Sequence, residues 1–135
     1  MTDNLGALLI HSDTTDGSST FVDSSGQGHT VTASNTTHED TTSKFGDTSI
    51  LFGGTGGLTV TGTNTDLVFT GDFTIDQWVY PTGNGSLSFV NYATTNNLHA
   101  LFLDSATSGR VLIAGANAIT GISLTANTWQ HFALV

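Results

Sequence analysis

Three features of this 135-residue sequence predict an all-β domain. Threonine supplies roughly one residue in five, and its β-branched side chain favours extended backbone while tolerating water. Glu, Lys and Arg, the good surface helix formers, amount to Glu39, Lys44 and Arg110 alone. Apolar residues alternate with polar ones at period two between clusters of Gly, Asn, Asp and Ser, and no stretch sustains a helical period.

The strands follow in order. Ala7 to His11 is a short apolar run, and Thr30 to Ala33 alternates over four residues. Ser49 to Phe52 and Leu58 to Thr61 flank Gly53-Gly54-Thr55-Gly56-Gly57, which reads as a hairpin turn. The next strand, Phe73 to Tyr80, sets Phe73, Ile75, Gln77 and Val79 on one face and Thr74, Asp76, Trp78 and Tyr80 on the other. With both faces partly apolar it suits the middle of a sheet, and Pro81, the single proline, ends it. Ser86 to Tyr92, Leu98 to Leu103, Val111 to Ala114 and Trp129 to Val135 complete the set. Nine short strands in one chain of this length predict an antiparallel β-sandwich. The irregular stretch from Ser12 to Ser43 is expected to hold long surface loops.

Composition excludes several function classes. Two basic residues against eleven acidic ones give a formal charge of −9, so no basic stripe exists to hold a phosphate backbone or an anionic membrane surface. Hydrophobic residues at 37% provide enough apolar surface for a core and argue against disorder. The absence of cysteine removes disulfides, thiolate nucleophiles and Cys-based metal sites. The first residues lack the basic segment and long apolar run of a signal peptide, so Sec secretion is not expected of a chain that starts natively at Met1. No apolar stretch approaches the roughly eighteen residues of a membrane span.

Five segments in order carry a family likeness. They are Leu8-Leu9-Ile10-His11-Ser12-Asp13; Phe21-Val22-Asp23-Ser24-Ser25-Gly26-Gln27-Gly28-His29; Ser43 to Phe52 with Lys44-Phe45-Gly46; Gly71-Asp72-Phe73-Thr74-Ile75-Asp76-Gln77-Trp78-Val79-Tyr80-Pro81; and Leu124 to Val135 with Trp129-Gln130-His131-Phe132-Ala133-Leu134-Val135. Together they resemble the concanavalin A-like lectin/glucanase superfamily, and more narrowly its laminin G-like branch. The resemblance implies a jelly-roll sandwich formed as one domain over residues 1–135, with Phe45 as a core plug and Trp129 and Phe132 packing opposite faces of the last strand. Family members continue into further strands after the segment matched by Trp129 to Val135, so the C-terminal strands are expected to be missing here. The turn Asp23-Ser24-Ser25-Gly26 with Gly28 reads independently as an Asx or Ser-bonded turn with positive φ at glycine. Gln77 departs from the family pattern by placing an amide where a large apolar side chain is usual.

The residues that carry chemistry narrow the function. Glycosidases of this fold need paired carboxylates about 5–5.5 Å apart for retaining hydrolysis, and Glu39 is the only glutamate. No Gly-x-Ser-x-Gly elbow supports a nucleophilic serine, and the glycine run lacks the Gly-Lys-Ser/Thr ending of a phosphate loop. The five histidines lack the close spacing of a compact metal site and are expected at the surface or at strand ends. Calcium suits the chain better than zinc, with Asp13 and Asp23 as ligand candidates beside Asp16 and Asp47 in carbonyl-rich loops, although acidic loops are more often simply solvated. For carbohydrate, aromatic rings stack on sugar C–H faces while amides and carboxylates take hydroxyls. Trp78, Tyr80, Asn91, Tyr92 and His131 are the candidates, with Gln77 and His99 nearby.

A non-enzymatic module is therefore expected. The resemblance extends to laminin G-like modules of bacteriophage virion proteins and implies a capsid-decoration, head-fibre or tail-fibre component located in the virion. Its partners would be other virion proteins or copies of itself in a homo-oligomer, together with host-surface carbohydrate, and not nucleic acid or the membrane interior. The alternatives are a carbohydrate-binding module of a larger bacterial surface or secreted protein, and a degenerate hydrolase.

Overall fold

The computed structural model describes residues 6–61, 71–83 and 99–135, and within them every regular element is a strand. The strands are β1 (Thr30–Glu39), β2 (Ser49–Thr61), β3 (Ile75–Val79), β4 (His99–Ser105), β5 (Ser108–Ile113), β6 (Ala116–Ser123) and β7 (Gln130–Leu134). All pairing is antiparallel, in sheets of order β1-β2, β3-β7 and β4-β5-β6. Contacts divide the chain into two compact units, Met1–Gly71 and Asp72–Val135.

In the first unit, β1 and β2 form a long ribbon, and the glycine run is not the hairpin turn expected of it. Thr30 to Ser34 pair with Thr61 to Gly57, then Thr36 to Glu39 pair with Phe52 to Ser49, so both flanks of the run face the same strand. Four residues, Gly53 to Gly56, stand opposite Asn35 alone and form a bulge. Asn35 adopts a φ of 45° and donates from its side-chain amide to the Gly53 carbonyl. A Cβ at position 56 would overlap the Asn35 carbonyl oxygen, so glycine is required for the close approach. Ala7 to His11 contributes only the bridge between Ile10 and Asp23.

The interior of this unit is polar. Among the described residues Phe21 is its one buried large apolar side chain, accompanied by buried Ser25, His29, Thr36, His38 and Thr48. His29 and His38, expected at the surface or at strand ends, do sit at the two ends of β1 but are buried, 6% and 2% exposed, because each finds a main-chain carbonyl to accept its ring N–H: Ala7 at 3.0 Å and Thr20 at 3.0 Å. Phe45 is not a core plug. It is 65% exposed, with the Lys44 ammonium 5.6 Å from its ring centroid.

In the second unit the apolar faces meet. Val79 of β3 and Leu101 and Leu103 of β4 form a buried cluster against which Ile122, Leu124 and Phe132 pack. Strand alternation accounts for the membership, since Val79 and Phe132 point inward from one sheet and Leu101, Leu103 and Ile122 from the other. Gln77 sits on the inward face opposite Phe132, and its Nε2 is buried with no hydrogen-bond partner among the described residues. Trp78, on the opposite face, is 39% exposed, and among the described residues β3 has β7 as its one neighbour rather than a strand on each side. A strand absent from the sequence-based expectation, β6, follows the two-residue loop Ala114-Gly115 and pairs with β5.

Candidate functional site

The outward face of the β3-β7 sheet assembles the site. Register sets Trp78 opposite His131 and Asp76 opposite Ala133, so Asp76, Trp78 and His131 share the face turned away from Val79 and Phe132. The Trp78 and His131 rings lie 5.2 Å apart at 43°. His131 Nε2 is 2.8 Å from Asp76 Oδ2, a diagonal contact between the strands. The carboxylate can only accept, so the imidazole donates through Nε2 and keeps Nδ1 as a further polar atom.

The same face continues past the strand ends. Tyr80, two residues beyond Trp78, lies 5.3 Å from the Trp129 ring at 56°. The loop before β7 holds Trp129 in place through several bonds. Gln130 receives the Thr125 N–H on Oε1 at 3.1 Å and donates from Nε2 to the Thr125 carbonyl at 2.9 Å. Asn127, with φ of 53°, donates its N–H to the Pro81 carbonyl at 2.8 Å, which ties this loop to the end of β3. The result is two tilted aromatic pairs in a row with a carboxylate–imidazole pair at one edge. Side chains of Asp76 and His131 are 61% and 45% exposed, so both remain open to solvent.

Three of the sequence-derived sugar-binding candidates, Trp78, Tyr80 and His131, therefore come together, while Asn91 and Tyr92 lie outside the described residues. Asp76 and Trp129 join them. Their membership depends on the pairing of strands more than fifty residues apart, although the sharing of one face by Asp76, Trp78 and Tyr80 is legible from alternation alone.

The calcium candidates are placed differently. Asp23 is the hub of its turn: Oδ1 accepts from the N–H groups of Leu9 at 3.1 Å and Ser25 at 2.9 Å, and Oδ2 from Ser25 Oγ at 2.9 Å and the His29 N–H at 3.2 Å. Burial alone would raise its pKa, but the donors from Ser25, Leu9 and His29 outweigh that and hold it at about 2. Gly26 and Gly28 take positive φ, as the turn requires. Asp13 accepts the Asp47 N–H at 3.1 Å. Neither belongs to the one carboxylate trio among the described residues, Asp16, Glu39 and Asp40, whose oxygens lie within 4.8 Å of one another.

Comparison with known proteins finds no matching family model, no matching curated protein and no matching solved structure.

Proposed function

We propose that this chain is a glycan-binding structural module of a virus particle, a bacteriophage capsid-decoration, head-fibre or tail-fibre component, built as an antiparallel sandwich of the concanavalin A-like, laminin G-like kind. The observation that carries the binding role is the outward β3-β7 face. Its exposed indole offers a stacking surface, and Asp76 and His131 beside it offer an acceptor and a second polar atom for sugar hydroxyls. The core cluster drawing on β3, β7, β4 and β6 supports a two-layer arrangement in the second unit. The chain's acidity suits neutral sugars over anionic ones. The single glutamate supports recognition without cleavage of the glycosidic bond. Placement in a virion rests on the likeness of the Leu8-Leu9-Ile10-His11 opening and the Phe73 to Pro81 strand to phage modules. The same face would equally serve a carbohydrate-binding module of a bacterial surface or secreted protein.

Titration calorimetry against neutral oligosaccharides, guided by a glycan array, tests the reading. Trp78→Ala and His131→Ala are each expected to weaken binding about tenfold or more, equivalent to about 1.4 kcal/mol. Equal heats from the wild type and both variants would remove the site. Co-sedimentation with phage particles separates the virion assignment from the bacterial one.

A further inference from the structure

The first unit holds a serine–histidine pair that sugar binding leaves unused. Ser12 Oγ lies 2.6 Å from His38 Nδ1, and His38 Nε2 lies 3.0 Å from the Thr20 carbonyl oxygen. The carbonyl can only accept, so Nε2 carries the ring proton, and in the neutral ring Nδ1 presents a lone pair to which the Ser12 hydroxyl donates. A base faces a hydroxyl, and a third group fixes the base's tautomer. Phe21 stacks on the imidazole, centroids 4.2 Å apart and planes 23° apart, which holds the ring's orientation.

The surroundings also favour charge on the serine oxygen. Thr48 Oγ1 accepts the Thr14 N–H at 3.3 Å and lies 3.2 Å from Ser12 Oγ, so its own proton is directed onto that oxygen. His38 lines a cavity of about 240 Å³ together with His11, Asp13, Thr14, Ser18 and Thr20; Ser12 is half-buried and is not itself on that wall, and it is joined to it by its bond to His38. A space of that size admits an acetyl or similarly short acyl group. Asp13 on its wall and a chain charge of −9 select against anionic substrates.

We propose that Ser12 is a base-activated nucleophile that accepts the acyl group of small neutral esters. Ser12 Oγ attacks the ester carbonyl carbon as its proton passes to His38 Nδ1. The tetrahedral adduct breaks its bond to the alkoxide, which leaves as the alcohol with the proton from His38. Water, deprotonated by the same nitrogen, then attacks the acyl-serine; the bond between the acyl carbon and Ser12 Oγ breaks, the carboxylic acid leaves, and His38 Nδ1 returns the proton to Ser12 Oγ.

The full chain is treated with p-nitrophenyl acetate and, separately, with a fluorophosphonate probe, and adducts are located by peptide mass spectrometry. One adduct on the Ser12 peptide is expected, absent from Ser12→Ala. Because the chain has no cysteine, Ser12→Cys provides a second readout in a protein that keeps a hydrogen-bonding side chain at this position. Its thiol is expected to react with iodoacetamide at pH 7 at least tenfold faster than that of Ser18→Cys on the cavity wall, and His38→Gln is expected to remove the acceleration. No adduct on Ser12, an undiminished adduct yield in Ser12→Ala, or a Ser12→Cys thiol no faster than the control would each overturn the proposal.

Discussion

Replacing Asp23 with asparagine tests how the first unit is held together. The Asp23 carboxylate receives four donors, and its pKa falls from the ordinary 3.8 to about 2 on folding. The ionised form is thus bound more tightly in the folded chain, a contribution of about 2 kcal/mol that is complete above about pH 5 and lost as pH falls through about 2. An amide in place of the carboxylate preserves the shape but turns an NH2 group toward donors that need an acceptor, leaving at least one N–H of Leu9, Ser25 or His29 unsatisfied at a further cost of about 1 kcal/mol. Asp23→Asn should therefore lower stability by about 2–3 kcal/mol at pH 7, and the deficit should shrink markedly toward pH 2, where about half of the folded wild-type carboxyls are protonated. Tryptophan and tyrosine occur only at positions 78, 80, 92 and 129, so intrinsic fluorescence reports on the second unit. The measurement is amide hydrogen exchange at Ser25 and His29 together with far-UV circular dichroism in urea, across pH 2 to 7. A variant as stable as the wild type at pH 7, or a deficit that persists unchanged at pH 2, would refute the reasoning.

Three further substitutions and one control probe other parts of the fold. Ala114 and Gly115 form a two-residue loop with φ of 53° and 75°, between Ile113 and Ala116, which pair with each other. Ala114→Asn should raise the thermal midpoint, by about 0.5–1 kcal/mol in stability, because Asn accepts left-handed backbone more readily than Ala. Gly56→Ala should cost about 1–3 kcal/mol in denaturant unfolding through overlap with Asn35, while Gly57→Ala, with open space at its Cβ, should cost well under that. Gln77→Leu should stabilise the second unit by about 1–2 kcal/mol, seen as a later fluorescence transition, since it removes a buried amide nitrogen that lacks a partner among the described residues.

The strands that alternation made legible are those whose inward side chains are apolar. β3, β4, β5 and β7 fall within a few residues of their expected places because Val79, Leu101, Leu103, Val111 and Phe132 mark one face. β6 escaped because its residues are almost all exposed, and its extended form is maintained by pairing with β5 rather than by burial. The polar core of the first unit was illegible for a related reason. Thr36 and His38 alternate correctly, but hydrophobicity does not register a face built from hydroxyls and imidazoles satisfied by distant carbonyls. In the candidate sugar site, Trp78 and Tyr80 could be chosen from residue type, whereas the contact of Asp76 with His131 depends on a register that no local pattern encodes. Glycine runs signal tight backbone geometry without saying which kind, so the segment at 53–57 read as a turn when the chain in fact continues along one partner.

The bulge opposite Asn35 has a consequence for engineering. Its two flanks are paired with β1 independently, and the pairing frame of β2 advances by an odd number of residues between them, so side-chain phase in one flank is uncoupled from phase in the other. Gly54 and Thr55 at its crest are both exposed, and among the described residues no strand pairs with either. A foreign peptide spliced between them would enter at the exposed crest, away from the close contacts of Gly53 and Gly56 with Asn35, and leave both registers where they are, making this crest a grafting position in the middle of a strand rather than at its end.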